Sequence, residues 1–449
     1  MAKTADPETS GSAVFRYRRF LKGADPKMFF DDDRKWFEEK RSGLFIHYGL
    51  YSVHELHEQE EWRYSVPREQ YDKLLHEFDP RQLDPAGWLD AAESAGLEYL
   101  VLTAKHHDGF CLWDTRETDF NVMNSPFGKD IIALVAEECH KRDFPLVLYY
   151  SAVDWHHPAY PNLGRHHEIS TDPSKHDLPG YVEFVKRQLT ELFSNYGKIH
   201  GLWWDMNVPE YQDPSVNELV RSLQPGVIIN NRGFGPGDFS TPERSFQSEA
   251  TLPFVSATEA CDCIGMSSWS YRADEDYHSI RSLERKCAVY TALGGNFLLG
   301  ASPGRNGIYA DKPKQILKAF GAWHKKVKPA LTAPPCPGVV NAPNILCTGG
   351  GRELNLVLLE PANGETLFLP GLTETPLKAE ILNTCETVEA TMEPNVYTMK
   401  SPPMLRLRRL PCDRMNDEIQ VIRLTFAEPV IHAADIKGET DRSGSVAKE

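Results

Sequence analysis

From about residue 36 to 326, short and almost wholly apolar runs alternate with segments whose apolar residues recur at helical spacing. Gly43-Leu-Phe-Ile-His47, Glu98-Tyr-Leu-Val-Leu-Thr-Ala104, Pro145-Leu-Val-Leu-Tyr-Tyr150, His200-Gly-Leu-Trp-Trp204 and Gly226-Val-Ile-Ile-Asn230 read as strands. They lack in/out alternation, which is what a sheet covered on both faces requires. Between them, Asp84-Pro-Ala-Gly-Trp-Leu-Asp-Ala-Ala92 begins with an N-cap Asp and a Pro at the first helical position. The stretches 130–141, 180–195, 215–223 and 278–293 have helical periodicity, and a late strand, Asn296-Phe-Leu-Leu-Gly300, precedes a helix at about 312–326. Repeated β-α units of this kind predict a (β/α)8-type barrel with irregular later strands. A doubly wound open sheet is the competing architecture, but no Gly-rich phosphate loop follows the first strand.

After Lys328-Pro-Ala-Leu-Thr-Ala-Pro-Pro335 the pattern changes. Leu354-Asn-Leu-Val-Leu-Leu359, Glu365-Thr-Leu-Phe-Leu369, Lys378-Ala-Glu-Ile-Leu382 and Ile419-Gln-Val-Ile-Arg-Leu-Thr-Phe426 are short strands between Pro, Gly and Asn turns, the texture of a C-terminal β-sandwich. The expected organisation is an N-terminal extension over 1–35, a barrel over 36–328, a sandwich over 329–431 and a polar tail over 432–449.

Composition narrows the function. The chain has 449 residues, 41% of them hydrophobic and 25% charged, as in ordinary globular proteins. Its formal charge of −15 disfavours phosphate backbones, so nucleic acid is not an expected partner, whereas a neutral sugar fits. No run of apolar residues is long enough for a membrane span, and the start Met1-Ala-Lys-Thr-Ala-Asp-Pro has no apolar signal core. Nine scattered cysteines and the lack of any Asn-X-Ser/Thr acceptor suit a reducing compartment, so a cytoplasmic location is expected.

In a barrel, reactive side chains sit at the carboxyl ends of strands. Those ends carry His47, Lys105-His106-His107-Asp108, Tyr149-Tyr150-Ser151, Asp205 and Asn230-Asn231-Arg232. Imidazoles, an arginine, aromatics and a carboxylate at one mouth make a polar pocket with stacking faces, suited to a sugar ring. Cleaving a glycosidic bond takes two carboxyl groups, about 5 Å apart in a retaining enzyme. Asp205 is the candidate nucleophile, although an Asp after a strand is often only a helix cap. Glu243 in Asp238-Phe-Ser-Thr-Pro-Glu243, Glu249 and Glu259 are the candidate acid/bases, and spacing does not choose among them. The pair His106-His107 could suggest a metal, but adjacent residues at a strand end point apart. His156-His157 and His166-His167 read as rim or solvated residues, Met206, Met266, Cys261 and Cys263 as packing, and Glu58 to Glu61 as a solvated acidic loop beside Trp62, a sugar platform.

These residues also carry a resemblance. Gly43-Leu-Phe-Ile-His-Tyr-Gly-Leu-Tyr-Ser52, Glu61-Trp62, Leu102-Thr-Ala-Lys-His-His-Asp-Gly-Phe-Cys-Leu-Trp113, Tyr149-Tyr-Ser151 with Asp154-Trp155, Leu202-Trp-Trp-Asp205, Asn231-Arg232 and Gly294-Gly-Asn-Phe-Leu-Leu299 resemble the α-L-fucosidases of glycoside hydrolase family 29, in family order. The resemblance implies a retaining exo-α-L-fucosidase that needs no metal or other cofactor and acts on fucosylated oligosaccharides or glycoconjugates. It implies Asp205 as nucleophile, Glu243 as first and Glu259 as second choice of acid/base. It further implies His47, Trp62, His106, His107, Tyr150, Trp203, Arg232 and Trp269 as sugar-binding residues. Trp155, Trp269 or Tyr271 would supply a niche for the fucose methyl. Tyr48, Asn231-Arg232-Gly233 and Ser270 depart from the family pattern near the expected mouth, which bears on aglycone preference and on L-galactose as a rival sugar. A sugar-binding pseudoenzyme and a metal-dependent hydrolase are the rival classes, and homo-oligomerisation is left open.

Overall fold

The computed structural model describes residues 29–30, 32–161, 169, 172–206, 211–244, 252–340, 342, 344–394 and 403–430. Seven parallel strands, β1 (Ser42–Ile46), β2 (Leu100–Lys105), β3 (Leu146–Ser151), β4 (Gly201–Asp205), β5 (Ile228–Ile229), β6 (Glu259–Cys263) and β7 (Asn296–Gly300), form one sheet in the order β5-β4-β3-β2-β1-β7-β6. That is barrel order, with the opening between β5 and β6.

Residues 238–244 close this opening without forming a regular strand. Phe239 bridges Asn230 at the end of β5, while Ser240 and Glu243 bridge Thr258 and Cys261 on the β6 side, all in parallel sense. Two features keep the segment irregular. Pro242 has no N–H to donate to a ladder, and at Gly237 a Cβ would collide with the Asn230 carbonyl, so the chain passes too close for any side chain. The segment nonetheless fixes Glu243 against the barrel, because Arg244 N donates to Cys261 O at 3.0 Å and Cys261 N to Pro242 O at 3.0 Å.

Strand β6 was absent from the sequence expectation, and its residues explain why. Glu-Ala-Cys-Asp-Cys does not read as an apolar run, yet all five residues are buried. The charges are answered by residues distant in the chain: Asp262 pairs with Lys286 at 2.7 Å, and Glu259 accepts hydrogen bonds from Tyr99 and Trp203 inside the barrel.

Among the described residues, six helices of ten or more residues surround the sheet: α1 (Pro85–Ser94), α2 (Ile131–Lys141), α3 (Leu178–Asn195), α4 (Pro214–Leu223), α5 (Ile280–Ala292) and α6 (Asp311–Leu331). Asp84, Asp130, Asp177 and Asp213 cap the first four by accepting a backbone N–H inside the first turn, with Pro in the first turn of α1, α3 and α4. The last helix runs past the expected end at 326, through Pro329 to Leu331.

The C-terminal module has a five-stranded antiparallel sheet, β12-β11-β15-β9-β8, and a three-stranded one, β10-β14-β13. Their ranges are β8 (Ile345–Gly350), β9 (Glu353–Leu358), β10 (Thr366–Leu369), β11 (Lys378–Ile381), β12 (Glu386–Thr387), β13 (Glu389–Glu393), β14 (Met404–Arg408) and β15 (Gln420–Thr425). Strand alternation divides β9 between two cores. Leu354, Leu356 and Leu358 meet Leu369, Leu405 and Leu407 of the smaller sheet, whereas Val357 joins the barrel core. Trp323 of α6 donates to Ile419 O at 2.8 Å and Glu284 of α5 accepts from Ile419 N at 2.8 Å, so the sandwich is fastened to the outer helices.

Candidate active site

The carboxyl ends of the barrel strands enclose a cavity of about 470 Å³, within the range of small-ligand sites. Its wall includes His47 after β1, His106 and His107 after β2, Tyr149 of β3, Trp203 and Asp205 of β4, Arg232 after β5, Glu243, and Trp269.

Asp205 ends β4 with its side chain turned inward. Tyr149 donates to Oδ2 at 2.9 Å, Arg232 Nη1 donates to Oδ1 at 3.0 Å, and His107 Nε2 lies 3.8 Å from Oδ2. Burial alone would raise its pKa, but Arg232, His107 and the Tyr149 hydroxyl outweigh burial and hold Asp205 below the ordinary carboxylate value. The chain leaves the strand through Met206 at φ +68°, a left-handed conformation that is strained for methionine.

Arg232 is the link to the second carboxyl. The same Nη1 donates to Glu243 Oε2 at 2.8 Å, while Nε and Nη2 are held by the Thr241 hydroxyl and carbonyl, both at 2.7 Å. The guanidinium sits over the Trp203 ring at 4.9 Å. Two carboxyl oxygens that share one nitrogen at 3.0 and 2.8 Å are necessarily less than about 6 Å apart.

His47 and His106 supply neutral hydrogen-bonding groups. Burial lowers the His47 pKa to about 4 and, with His107 and His47 nearby, takes that of His106 well below its ordinary value. Among the described residues the Nδ1 atoms of both rings are buried without a hydrogen-bond partner. His107 Nδ1 is oriented by Ser151 Oγ at 2.7 Å. Behind it, Lys105 pairs with Asp154 at 2.8 Å inside a cage of Tyr150, Tyr181 and Phe184.

Several expectations are corrected by this geometry. Tyr150 faces away from the cavity: its hydroxyl donates to Gln188 Oε1 of α3 at 2.5 Å, and strand alternation gives the inward position to Tyr149. Trp62 packs against the barrel core beside Arg63 instead of in the cavity wall. Glu259, the second-choice acid, lies below the cavity floor at the start of β6. Both its oxygens are engaged, by Trp203 Nε1 at 2.9 Å and Tyr99 OH at 2.5 Å, so it has no path to a leaving group. Of the three aromatics offered for a methyl niche, Trp269 alone belongs to the wall among the described residues. His156, half-buried, stacks on Phe120 at 4.0 Å and lies 3.4 Å from Asp72, and His157, also half-buried, packs on Phe184 at 4.3 Å; neither is in the cavity wall. Cys261 and Met206, read as packing, are part of the wall. Glu249 and His166-His167 lie outside the described residues.

The acidic run is not solvated. Glu58, Glu60 and Glu61 are all buried. Glu61 pairs with Arg68 at 2.8 Å, and burial pushes its pKa to about 8. Glu58 enters the cavity wall, where its Oε2 accepts from Ser268 Oγ at 2.7 Å and Trp269 N at 2.9 Å. Burial would raise the Glu58 pKa, but His57, His47 and the Ser268 bond outweigh it and lower the value. Its partners lie 210 residues away in the chain, so nothing in the local sequence marks it. Of the departures from the family pattern, Asn231 is in the wall, Tyr48 turns away to donate to Arg305 O at 2.9 Å, and Ser270 Oγ lies 3.0 Å from Ser268 Oγ, beside Glu58.

The family model described as alpha-L-fucosidase matches residues 27–328, the barrel that carries all of these wall residues. The chain belongs to the α-L-fucosidase family. It is 27% identical to rat tissue alpha-L-fucosidase over 321 residues, 64% of this chain and 67% of that one. Alpha-L-fucosidase isoenzyme 1 from Paenibacillus thiaminolyticus superposes with a TM-score of 0.77 at 28% identity, covering 88% of this chain and 98% of that one. A family 29 fucosidase from Bacteroides thetaiotaomicron, trapped as a covalent intermediate with 2-fluoro-fucosyl fluoride, shares the fold at 21% identity, with a TM-score of 0.74 over 90% of this chain and 98% of that one. As a member of family 29 the protein is a glycoside hydrolase, and the cavity just described is its candidate active site. The solved neighbours extend over the sandwich as well as the barrel, although among the described residues no sandwich side chain lines the cavity.

Proposed function

We propose that this protein is a retaining exo-α-L-fucosidase, and the observation that carries the reading is the sharing of Arg232 Nη1 by Asp205 and Glu243. A separation below about 6 Å matches double displacement and leaves no room for the intervening water of an inverting enzyme, which needs about 6.5–9.5 Å. In the first step Asp205 attacks the anomeric carbon as the bond to the leaving oxygen breaks and Glu243 gives that oxygen its proton. The fucosyl ester on Asp205 is then cleaved by a water whose proton returns to Glu243 as its oxygen bonds the anomeric carbon. Arg232 and Tyr149 keep the nucleophile ionised and aimed. Trp203 and Trp269 offer apolar faces to the ring and its methyl group, while His47, His106, His107 and Glu58 offer hydrogen bonds to its hydroxyls. The covalent intermediate of the Bacteroides neighbour supports the same chemistry on this fold.

Hydrolysis of an aryl α-L-fucoside followed by proton NMR is expected to release the α anomer first, with slower turnover of the matching L-galactoside. Release of the β anomer first would refute the retaining mechanism, and preference for the L-galactoside would refute the sugar assignment.

The strand parity at Tyr149-Tyr150 gives a paired test. Tyr149→Phe removes a hydrogen bond to a charged nucleophile, worth ~1.5–3 kcal/mol, so kcat/KM should fall roughly 10- to 100-fold. Tyr150→Phe leaves Gln188 Oε1 without its donor and should cost about 1–3 kcal/mol of stability with kcat within about twofold of wild type. Steady-state kinetics and thermal melts on the two variants decide it; the reverse pattern would mean that the inward residue has been misassigned.

A further inference from the structure

Glu259 is a charged residue where a barrel interior ordinarily holds Val, Ile or Leu. A buried carboxyl is costly, and an apolar side chain of similar size is commonly cheaper. Burial accordingly pushes its pKa up to about 7. It occupies the layer beneath Cys261, the first β6 side chain to reach the cavity, and both its oxygens accept hydrogen bonds: Oε1 from Trp203 Nε1 at 2.9 Å and Oε2 from Tyr99 OH at 2.5 Å.

What Trp203 does next makes that bond consequential. An indole has a broad torsional well about its second side-chain angle, and its only polar atom is the N–H donor, so one fixed acceptor selects one ring orientation. In that orientation the ring stacks on Tyr149 at 5.6 Å and 17°, meets Phe45 at 5.1 Å, and carries the Arg232 guanidinium over its face at 4.9 Å. Arg232 bridges Asp205 and Glu243, and Tyr149 donates to Asp205. A turn of the indole would therefore displace both groups that hold the nucleophile.

We propose that Glu259 is a positioning residue for this reaction: by accepting the Trp203 indole N–H from below, it sets the ring that holds Arg232 and Tyr149 in register with the two catalytic carboxyls. This rests on the retaining-fucosidase reading. The carboxyl acts through Trp203 and takes no part in proton transfer. Glutamine can serve in its place, with the amide oxygen accepting from Trp203 and the amide N–H₂ facing a Tyr99 hydroxyl turned to accept.

The test is a double-mutant cycle on hydrolysis of an aryl α-L-fucoside. Glu259→Leu removes the acceptor and should lower kcat/KM about 10- to 100-fold, the scale of a displacement near 1 Å, while Glu259→Gln should stay within about threefold of wild type. Trp203→Phe has no N–H to satisfy, so adding Glu259→Leu to it should cost less than about threefold more. Should Glu259→Leu fail to fold, Glu259→Asp, whose shortened chain cannot span both donors, replaces it in the same cycle. An equal loss in the wild-type and Trp203→Phe backgrounds overturns the proposal, and so does a Glu259→Gln loss as large as that of Glu259→Leu. A wild type inert towards every α-L-fucoside would instead overturn the functional reading, and the positioning role with it, so the two failures differ.

Discussion

Asp205→Ala will lower kcat on an aryl α-L-fucoside by about 10⁴-fold or more, and added azide will restore turnover while yielding β-L-fucosyl azide. The magnitude follows from what the substitution leaves behind. Tyr149 and Arg232 would remain aimed at an empty position, with the developing charge at the anomeric carbon unmet. The rescue follows from shape and charge. Alanine opens space beside the Arg232 guanidinium, and a small anion placed there approaches the anomeric carbon from the face opposite the leaving aryl group, so its product has inverted configuration. Asp205→Asn is the control, since it fills the same volume without charge and should show no rescue. Activity within tenfold of wild type, or an azide product of retained configuration, would remove Asp205 from the nucleophile role.

How much of this was legible in the sequence depended on whether a residue's environment was local. The first four inner strands stand out because each is an apolar run that stops at a polar residue, and this also placed His47 and Asp205 at a common mouth. Strand β6 escaped because its charges are answered by Lys286, Trp203 and Tyr99, which are distant in the chain. The same cause hid Glu58, whose acidic neighbourhood reads as solvated until the 268–270 segment folds over it. The error at Tyr149-Tyr150 has a different origin. In a strand buried on both faces, adjacent aromatics are equally apolar, and parity becomes visible only once Tyr149 is seen beside Trp203 and Tyr150 beside α3. Family motifs could not repair it, because they preserve order along the chain and carry no direction for a side chain.

The acid/base assignment is the part of the site that kinetics can sharpen most, and Glu243→Ala is expected to act selectively. A leaving group that departs easily as an anion hardly needs a proton, so kcat/KM on a dinitrophenyl α-L-fucoside should fall less than about tenfold, while kcat falls further because hydrolysis of the fucosyl ester has lost its base. On a sugar leaving group, which must be protonated, the loss in kcat/KM should be about 10²–10⁴-fold. Azide should attack the fucosyl ester on Asp205 from the face that water normally uses, giving α-L-fucosyl azide, the opposite anomer from that of the Asp205→Ala reaction. Geometry favours Glu243 because the bridging segment 238–244 ties its backbone to Cys261 while its carboxyl shares Arg232 with Asp205. That sharing also raises an electrostatic alternative, in which Glu243 serves only to hold Arg232. Glu243→Gln separates the two, since it can still accept from Arg232 yet cannot deliver a proton. It should therefore reproduce the leaving-group dependence of Glu243→Ala. A uniform loss across all leaving groups would make Glu243 a support for Arg232, and the same selective pattern in Glu249→Ala would move the proton donor to the neighbouring segment.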